Sequence, residues 1–232
     1  MDRGATTLLH DALARNGIAE DGRVRITRAE QLMAGSLGRA GPRKDGSSPV
    51  EHSLRVATNV VEALGVTDPD LVIAALLHDV VEDASRFVAP EAADEPGAQL
   101  LALKRIESEF GARVARTVAR VTLPDIDAIA HSRIAAGDAR PREAVCNEIY
   151  ADTIARAVRD STDALTVKLA DFLDNGVRVD PIARPGLAAK YRPLFTILPE
   201  ALMALPESAA LAARRDSTLA RIGAARMRVY GG

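Results

Sequence analysis

The sequence predicts an all-α fold, a helical bundle. Three observations predict it. The chain is 47% hydrophobic, and Ala, Leu, Val and Ile supply most of that share beside many Arg and Glu; this mixture is rich in residues that enter helices at low cost. Apolar residues recur every three to four positions in segment after segment. No stretch alternates apolar and polar residues for long enough to make a strand.

Each element can be justified in order. In 6–17, Leu8, Leu9, Ala12 and Leu13 share one face and Gly17 is a stop. A helix over 27–38 opens on Thr27 and Glu30, a capping-box pattern. The stretch GPRKDGSSP (41–49) reads as a loop. Residues 52–64 carry Leu54, Ala57, Val60, Val61 and Leu64 at helical spacing. A helix over 69–83 has Asp68 as its cap and Pro69 in its first turn. Its interior is apolar nearly all round, which marks a buried central helix. Residues 84–98 read as a proline-containing acidic loop, followed by two helices broken at Gly111. The mixed stretch 123–142 predicts a loop with short helical turns. Helices follow over 143–160 and 162–177, and 186–229 predicts two more, divided near Pro206.

The bulk properties exclude several functions. With 232 residues the chain can bury a core without staples. A net charge of −2 gives no general attraction to nucleic acid or anionic membranes. Aromatic residues at 3%, with no Trp, argue against a base-stacking surface. The single cysteine, Cys146, rules out an intrachain disulfide, and nothing beside it in the sequence would activate it. The first residues lack the apolar core of a signal peptide, and no window has the ~18–20 apolar residues of a membrane span. The expectation is a soluble cytoplasmic protein.

The chemistry concentrates in AALLHDVVED (74–83). On a helix, His78 and Glu82 lie one turn apart, and Asp79 and Asp83 form a second pair beside them. Val72, Ile73, Leu76, Leu77, Val80 and Val81 cover the other faces, so the polar strip must line something. Buried carboxylates without a partner protonate or find a cation. A divalent metal suits a His-Asp pair. The chain has four histidines. His52 opens the preceding helix, and antiparallel packing of the two helices brings it near His78. A third carboxylate is offered by Asp171 in VKLADFLDN (167–175), on an apolar helix where Lys168, Asp171 and Asn175 share a face. Each residue alone is more often a satisfied core histidine, a salt-bridge partner or a solvated charge. Their convergence on buried helices favours a site. His10 and His131 have no carboxylate cluster around them and take the bland reading.

The order His52, His78-Asp79, Asp171 resembles the HD superfamily of metal-dependent phosphohydrolases. The blocks RKDGSSPVEHSLRVA (43–57), AALLHDVVED (74–83), EFGARVARTVARVT (109–122) and VKLADFLDN (167–175) together resemble the alarmone hydrolase domain of the RelA/SpoT homologues. They are most similar to its free-standing form, the small alarmone hydrolases. The resemblance implies an HD-domain helical bundle, with 1–36 as an N-terminal helical extension, 37–200 as the hydrolase domain and 201–232 as a C-terminal helix packed on it.

The resemblance also implies roles. His52, His78, Asp79 and Asp171 match the ligands of one divalent ion, usually Mn2+ in the family. Glu82 and Asp83 match the catalytic acid/base pair. Arg43 and Lys44 match the loop that binds the guanine nucleotide, with the arginine stacked on the base. Asn175 matches a residue near ribose and phosphates. Lys168 lies in the matching helix, where a purely structural pairing with Asp171 stays open. The implied reaction removes the 3′-pyrophosphate of ppGpp or pppGpp, giving GDP or GTP and pyrophosphate. Another phosphorylated nucleotide such as NADPH, or a catalytically silent nucleotide-binding HD protein, are the alternatives. The implied partner is the alarmone, with no nucleic acid and no membrane; the terminal segments are packing extensions or the surface of a homodimer.

The chain departs from the family at several positions. Phe172 stands where a basic residue is usual, and Asp174 where a neutral or basic one is commoner. Both imply less positive charge facing the pyrophosphate. Pro49 replaces an aromatic residue, and AGSLGRAGP (34–42) lacks the usual aromatic and histidine residues.

Overall fold

The structure, a computed structural model, describes residues 3–43, 46–207 and 209–231. Among them there is no strand, in keeping with the all-α expectation. Helices α1 (Arg3–Arg15), α2 (Glu20–Ala40), α3 (Pro49–Glu62), α4 (Pro69–Leu77) and α5 (Val80–Val88) form the first half. Helices α6 (Glu95–Phe110), α7 (Ala112–Val121), α8 (Ile126–Ala135), α9 (Arg142–Asp160) and α10 (Thr162–Asp174) follow. A 3-10 turn over Gly176–Arg178 leads to α11 (Pro185–Tyr191), α12 (Leu194–Met203), a second 3-10 turn over Ala210–Arg214 and α13 (Arg215–Tyr230).

Two helices form the axis of the core. Every residue of α4 from Leu71 to Leu77 is buried, and so is every residue of α10 from Ala164 to Asp174. Helix α4 packs on α2, α3, α7 and α10, while α10 also packs on α3, α9 and α12. Local chemistry sets their starts. The Asp68 carboxylate accepts from the Asp70 N–H with Pro69 in the first turn, and Ser161 Oγ accepts from the Ala164 N–H. Ser48 caps α3 in the same way, by accepting from the Glu51 N–H. Leu9, Ala12 and Leu13 of α1 and Ile222 and Ala225 of α13 are buried in the same apolar core.

Several expectations are corrected. The helix expected over 69–83 is interrupted at His78-Asp79. Nδ1 of His78 hydrogen-bonds the Ala75 carbonyl at 2.8 Å. That carbonyl is the acceptor a continuing helix would offer to the Asp79 N–H, so the ring intrudes on the backbone ladder and the chain turns. The capping box at Thr27 and Glu30 is not a helix start, because both lie inside α2. Gly22 near the start of α2 is a close-packing position: a Cβ there would lie 2.8 Å from Pro69 Cγ. The acidic loop expected over 84–98 shrinks to 89–94, because α5 runs to Val88 and Glu95 opens α6 while pairing with Arg86 at 2.9 Å. The loop expected over 123–142 contains α8, whose start is capped by Asp125 accepting from the Ala128 N–H at 2.9 Å. Cys146 is half-buried beside the small cluster of Ala130, Val145 and Ile149. The tail holds three α-helices rather than two, with α11 and α12 separated at Arg192 and Pro193.

Candidate active site

Helices α3, α4, α5 and α10 bring four side chains together. His52 sits in the first turns of α3, His78 and Asp79 at the α4–α5 turn, and Asp171 near the end of α10. The His52 and His78 rings meet edge to face with centroids 5.2 Å apart. Ligand atoms of His52, His78 and Asp171 all lie within 4.8 Å of one another, a grouping that could hold a metal ion. Asp79 joins them: Oδ1 is 3.1 Å from His78 Nε2 and Oδ2 is 3.6 Å from His52 Nε2. Asp171 Oδ1 is 3.3 Å from His52 Nε2.

The electrostatics fit a cation. Both Nε2 atoms are buried and lack a hydrogen-bond partner among the described residues. Burial opposes charge on Asp79, but His78 and His52 hold its carboxyl well below the usual carboxylate range. Asp171 is also held well below it, because Lys168 and both imidazoles outweigh the cost of burial. Burial pulls the His52 imidazole down, yet the neighbouring Asp171 and Asp174 carboxylates push it up to about 9. Two carboxylates and two imidazoles around one point, with orphaned nitrogens, match the donor set of a divalent ion.

Around this cluster lies a cavity of about 610 Å³, a volume in the range of small-molecule sites. Asp79 and Asp171 line it, as do Glu82 and Asp83 from the first turn of α5. Glu82 Oε2 accepts from the Leu123 N–H at 3.1 Å, which fixes its position. Burial first, and the Asp79 charge second, raise the carboxyls of both Glu82 and Asp83. These two carboxyls therefore hold protons more readily than those of Asp79 and Asp171.

The remaining predicted residues reach the same cavity, with one outside view. Arg43 lines it, with Nη1 3.6 Å from Asp79 Oδ2 and Nη2 3.3 Å from Asn175 Oδ1. Asn175 in turn donates from Nδ2 to Asp171 Oδ1 at 2.7 Å. Lys168 is buried, with Nζ 3.5 Å from Asp171 Oδ2, and also lines the cavity. Lys44 lies outside the described residues. His10 bonds the buried Glu30 at 2.9 Å, and His131 is exposed on α8; both are apart from the cluster.

Phe172 is not at the site's mouth. It is 1% exposed and packs edge to face on Phe195, at 4.8 Å, and on Tyr191. Asp174 is also turned away from the cavity: it accepts from Arg55 Nε at 2.8 Å and bonds His52 Nδ1 at 2.8 Å. The charge expected to be missing at these two positions is therefore missing from the core, not from the cavity wall.

The sequence missed part of the wall. Tyr150 of α9, Arg184 ahead of α11, and Lys190 and Tyr191 of α11 also line the cavity. Lys190 Nζ stands 4.3 Å from the Tyr150 ring centroid. A basic and aromatic run, AAKYR (188–192), lies here, in a stretch expected only to be helical.

A sequence family described as HD domain matches residues 27–179, from within α2 to just past the turn after α10. The chain belongs to the HD-domain family. All four metal-ligand candidates of this HD domain fall inside the match, as do Glu82 and Asp83. A solved structure described as a metazoan ortholog of SpoT, which hydrolyzes ppGpp and plays a role in starvation responses, is similar in fold. It is 20% identical with a TM-score of 0.53, over 86% of this chain and 96% of that one. No curated protein matches the sequence. No helix among the described residues of this HD domain is long and apolar enough to cross a membrane.

Proposed function

We propose that the protein is a Mn2+-dependent pyrophosphohydrolase that removes the 3′-pyrophosphate of ppGpp or pppGpp. The observation that carries this reading is a juxtaposition in one cavity: a divalent-ion donor set, a pair of raised carboxyls and a wall of cations. The ppGpp hydrolysis reported for the protein of similar fold supports the choice of substrate.

His52, His78, Asp79 and Asp171 would hold the ion. When bound, it supplies Lewis-acid polarisation of a phosphoryl oxygen and makes water a stronger acid. The chain's own residues do the rest. Glu82, held by the Leu123 amide, and Asp83 beside it can take a proton from water and return one to the leaving oxygen. Their raised affinity for protons suits both directions of transfer. Arg43, Lys168, Arg184 and Lys190 offset the negative charge of a polyphosphate. Arg43 also presents a planar cation to a base, and Tyr150 and Tyr191 add aromatic surface. Lys44, next in the sequence, would add a further cation for the same substrate.

The test is a substrate panel. Purified protein with Mn2+ is expected to release pyrophosphate from ppGpp and to stop on chelation. An enzyme that leaves ppGpp intact but releases phosphate from NADPH contradicts the choice of substrate. One that binds nucleotide and turns over none, with any divalent metal, contradicts the enzymatic reading.

A further inference from the structure

We propose that Asp174 is a positioning residue that aims His52 at the metal. The inference rests on the metal-site reading above. Its basis is an asymmetry between the two imidazoles. Nδ1 of His78 bonds a backbone carbonyl, that of Ala75, at 2.8 Å. Nδ1 of His52 instead lies 2.8 Å from Asp174 Oδ2.

An ionised carboxylate only accepts hydrogen bonds, so the proton of this contact belongs to Nδ1. With Nδ1–H committed to Asp174, Nε2 is the nitrogen that can give its lone pair to an ion, and it faces Asp171 Oδ1 at 3.3 Å and Asp79 Oδ2 at 3.6 Å. The Asp174 side chain is 2% exposed, so its charge needs compensation. Arg55 supplies it with two bonds, Nε to Oδ1 at 2.8 Å and Nη2 to Oδ2 at 3.1 Å. Arg178 Nη1 adds a contact at 3.3 Å. The carboxylate is thus fixed from α3 and from the turn after α10 before it meets the ring.

A partner of this kind locks the tautomer and orientation of a ligating imidazole, makes it more basic, and typically changes metal affinity by about 10- to 100-fold. Helix periodicity places Asp174 one turn beyond Asp171, on a neighbouring face. One helix therefore supplies both a ligand and the group that orients another ligand.

The experiment is isothermal titration of Mn2+ alone into metal-free protein. The Asp174→Asn variant keeps an acceptor for Nδ1–H and loses the charge, so about tenfold weaker binding is expected. Asp174→Ala loses both, and about 100-fold is expected. Arg55→Gln loosens the carboxylate but leaves it beside the ring, so a loss smaller than that of Asp174→Asn, under about tenfold, is expected. A purely structural Asp174–Arg55 tie would make Arg55→Gln as weak as Asp174→Ala, which overturns the proposal.

A second measurement needs no variant. In zinc-loaded wild-type protein, nitrogen-15 spectra of His52 should show a proton on Nδ1 and none on Nε2; the opposite assignment overturns the proposal. Wild-type protein that binds no divalent metal overturns the metal-site reading itself. Normal wild-type binding with unchanged affinity in both Asp174 variants overturns only this inference.

Discussion

Nε2 of His52 and Nε2 of His78 are both buried, both face the same pair of aspartates, and neither has a hydrogen-bond partner among the described residues. Leaving a buried polar atom unsatisfied costs about 1–3 kcal/mol. A cation that engages both nitrogens removes that cost and offsets the crowding of Asp79 against Asp171. Metal binding should therefore stabilise the fold. At a Mn2+ concentration of 100 times Kd the gain is about 2.7 kcal/mol, read as a rise in Tm that a chelator reverses. Asp171→Ala should abolish that rise.

Asp79 and Arg43 face each other across 3.6 Å but should behave differently when removed. On the proposed reading Asp79→Ala takes away a metal ligand and should abolish turnover of every nucleotide tested. On the same reading Arg43→Ala removes a cation that meets the substrate, and a lost hydrogen bond to a charged group is worth about 1.5–3 kcal/mol. The expected result is a fall of about 10- to 100-fold in kcat/KM on ppGpp, expressed mainly in KM, with Mn2+ affinity retained. Steady-state kinetics on the two variants separates the roles.

Glu82 should trade stability for activity. Its carboxyl is raised by burial and then by Asp79, so the folded state binds its proton more tightly than the unfolded chain does. Stability from this group is thus full below the ordinary value of about 4.3 and declines as pH rises through the folded value. Glu82→Gln should raise Tm at neutral pH while lowering kcat by about 10²–10⁴-fold. In the wild type, the acid limb of kcat/KM should lie above the ordinary carboxylate range, because the basic form is lost at a higher pH.

Phe172 should matter for the fold rather than for substrate charge. It is closed in by Phe195 and Tyr191, and a Cβ on Gly176 would lie 2.1 Å from its ring. Phe172→Ala should cost about 3–5 kcal/mol, measured by denaturant unfolding, with Mn2+ affinity in the folded protein unchanged. Gly176→Ala should be destabilising for the same reason.

The helical class and the meeting of His52, His78, Asp79 and Asp171 were legible because polar residues in apolar helices are costly without a partner. The turn at His78-Asp79 was not. No Gly or Pro marks it, and its cause is a ring nitrogen reaching the Ala75 carbonyl, a contact visible only in three dimensions. Asp174 was expected to face the pyrophosphate, and its true partners, His52 and Arg55, are more than a hundred residues away in sequence. Thr27 and Glu30 misled because their spacing suits a cap, while Glu30 in fact bonds His10 of α1. The Arg184, Lys190 and Tyr191 wall depends on how α11 folds back, which residue spacing does not encode.

The central claim is metal-dependent release of pyrophosphate from a guanine alarmone. It is tested most directly by incubating the purified protein with ppGpp and, separately, with NADPH, each with Mn2+ and with chelator, and quantifying pyrophosphate and phosphate. The account predicts GDP and pyrophosphate from ppGpp with Mn2+, none with chelator, and none from the Asp79→Ala variant. Intact ppGpp at micromolar enzyme with Mn2+ present, or release that persists in chelator, would contradict it.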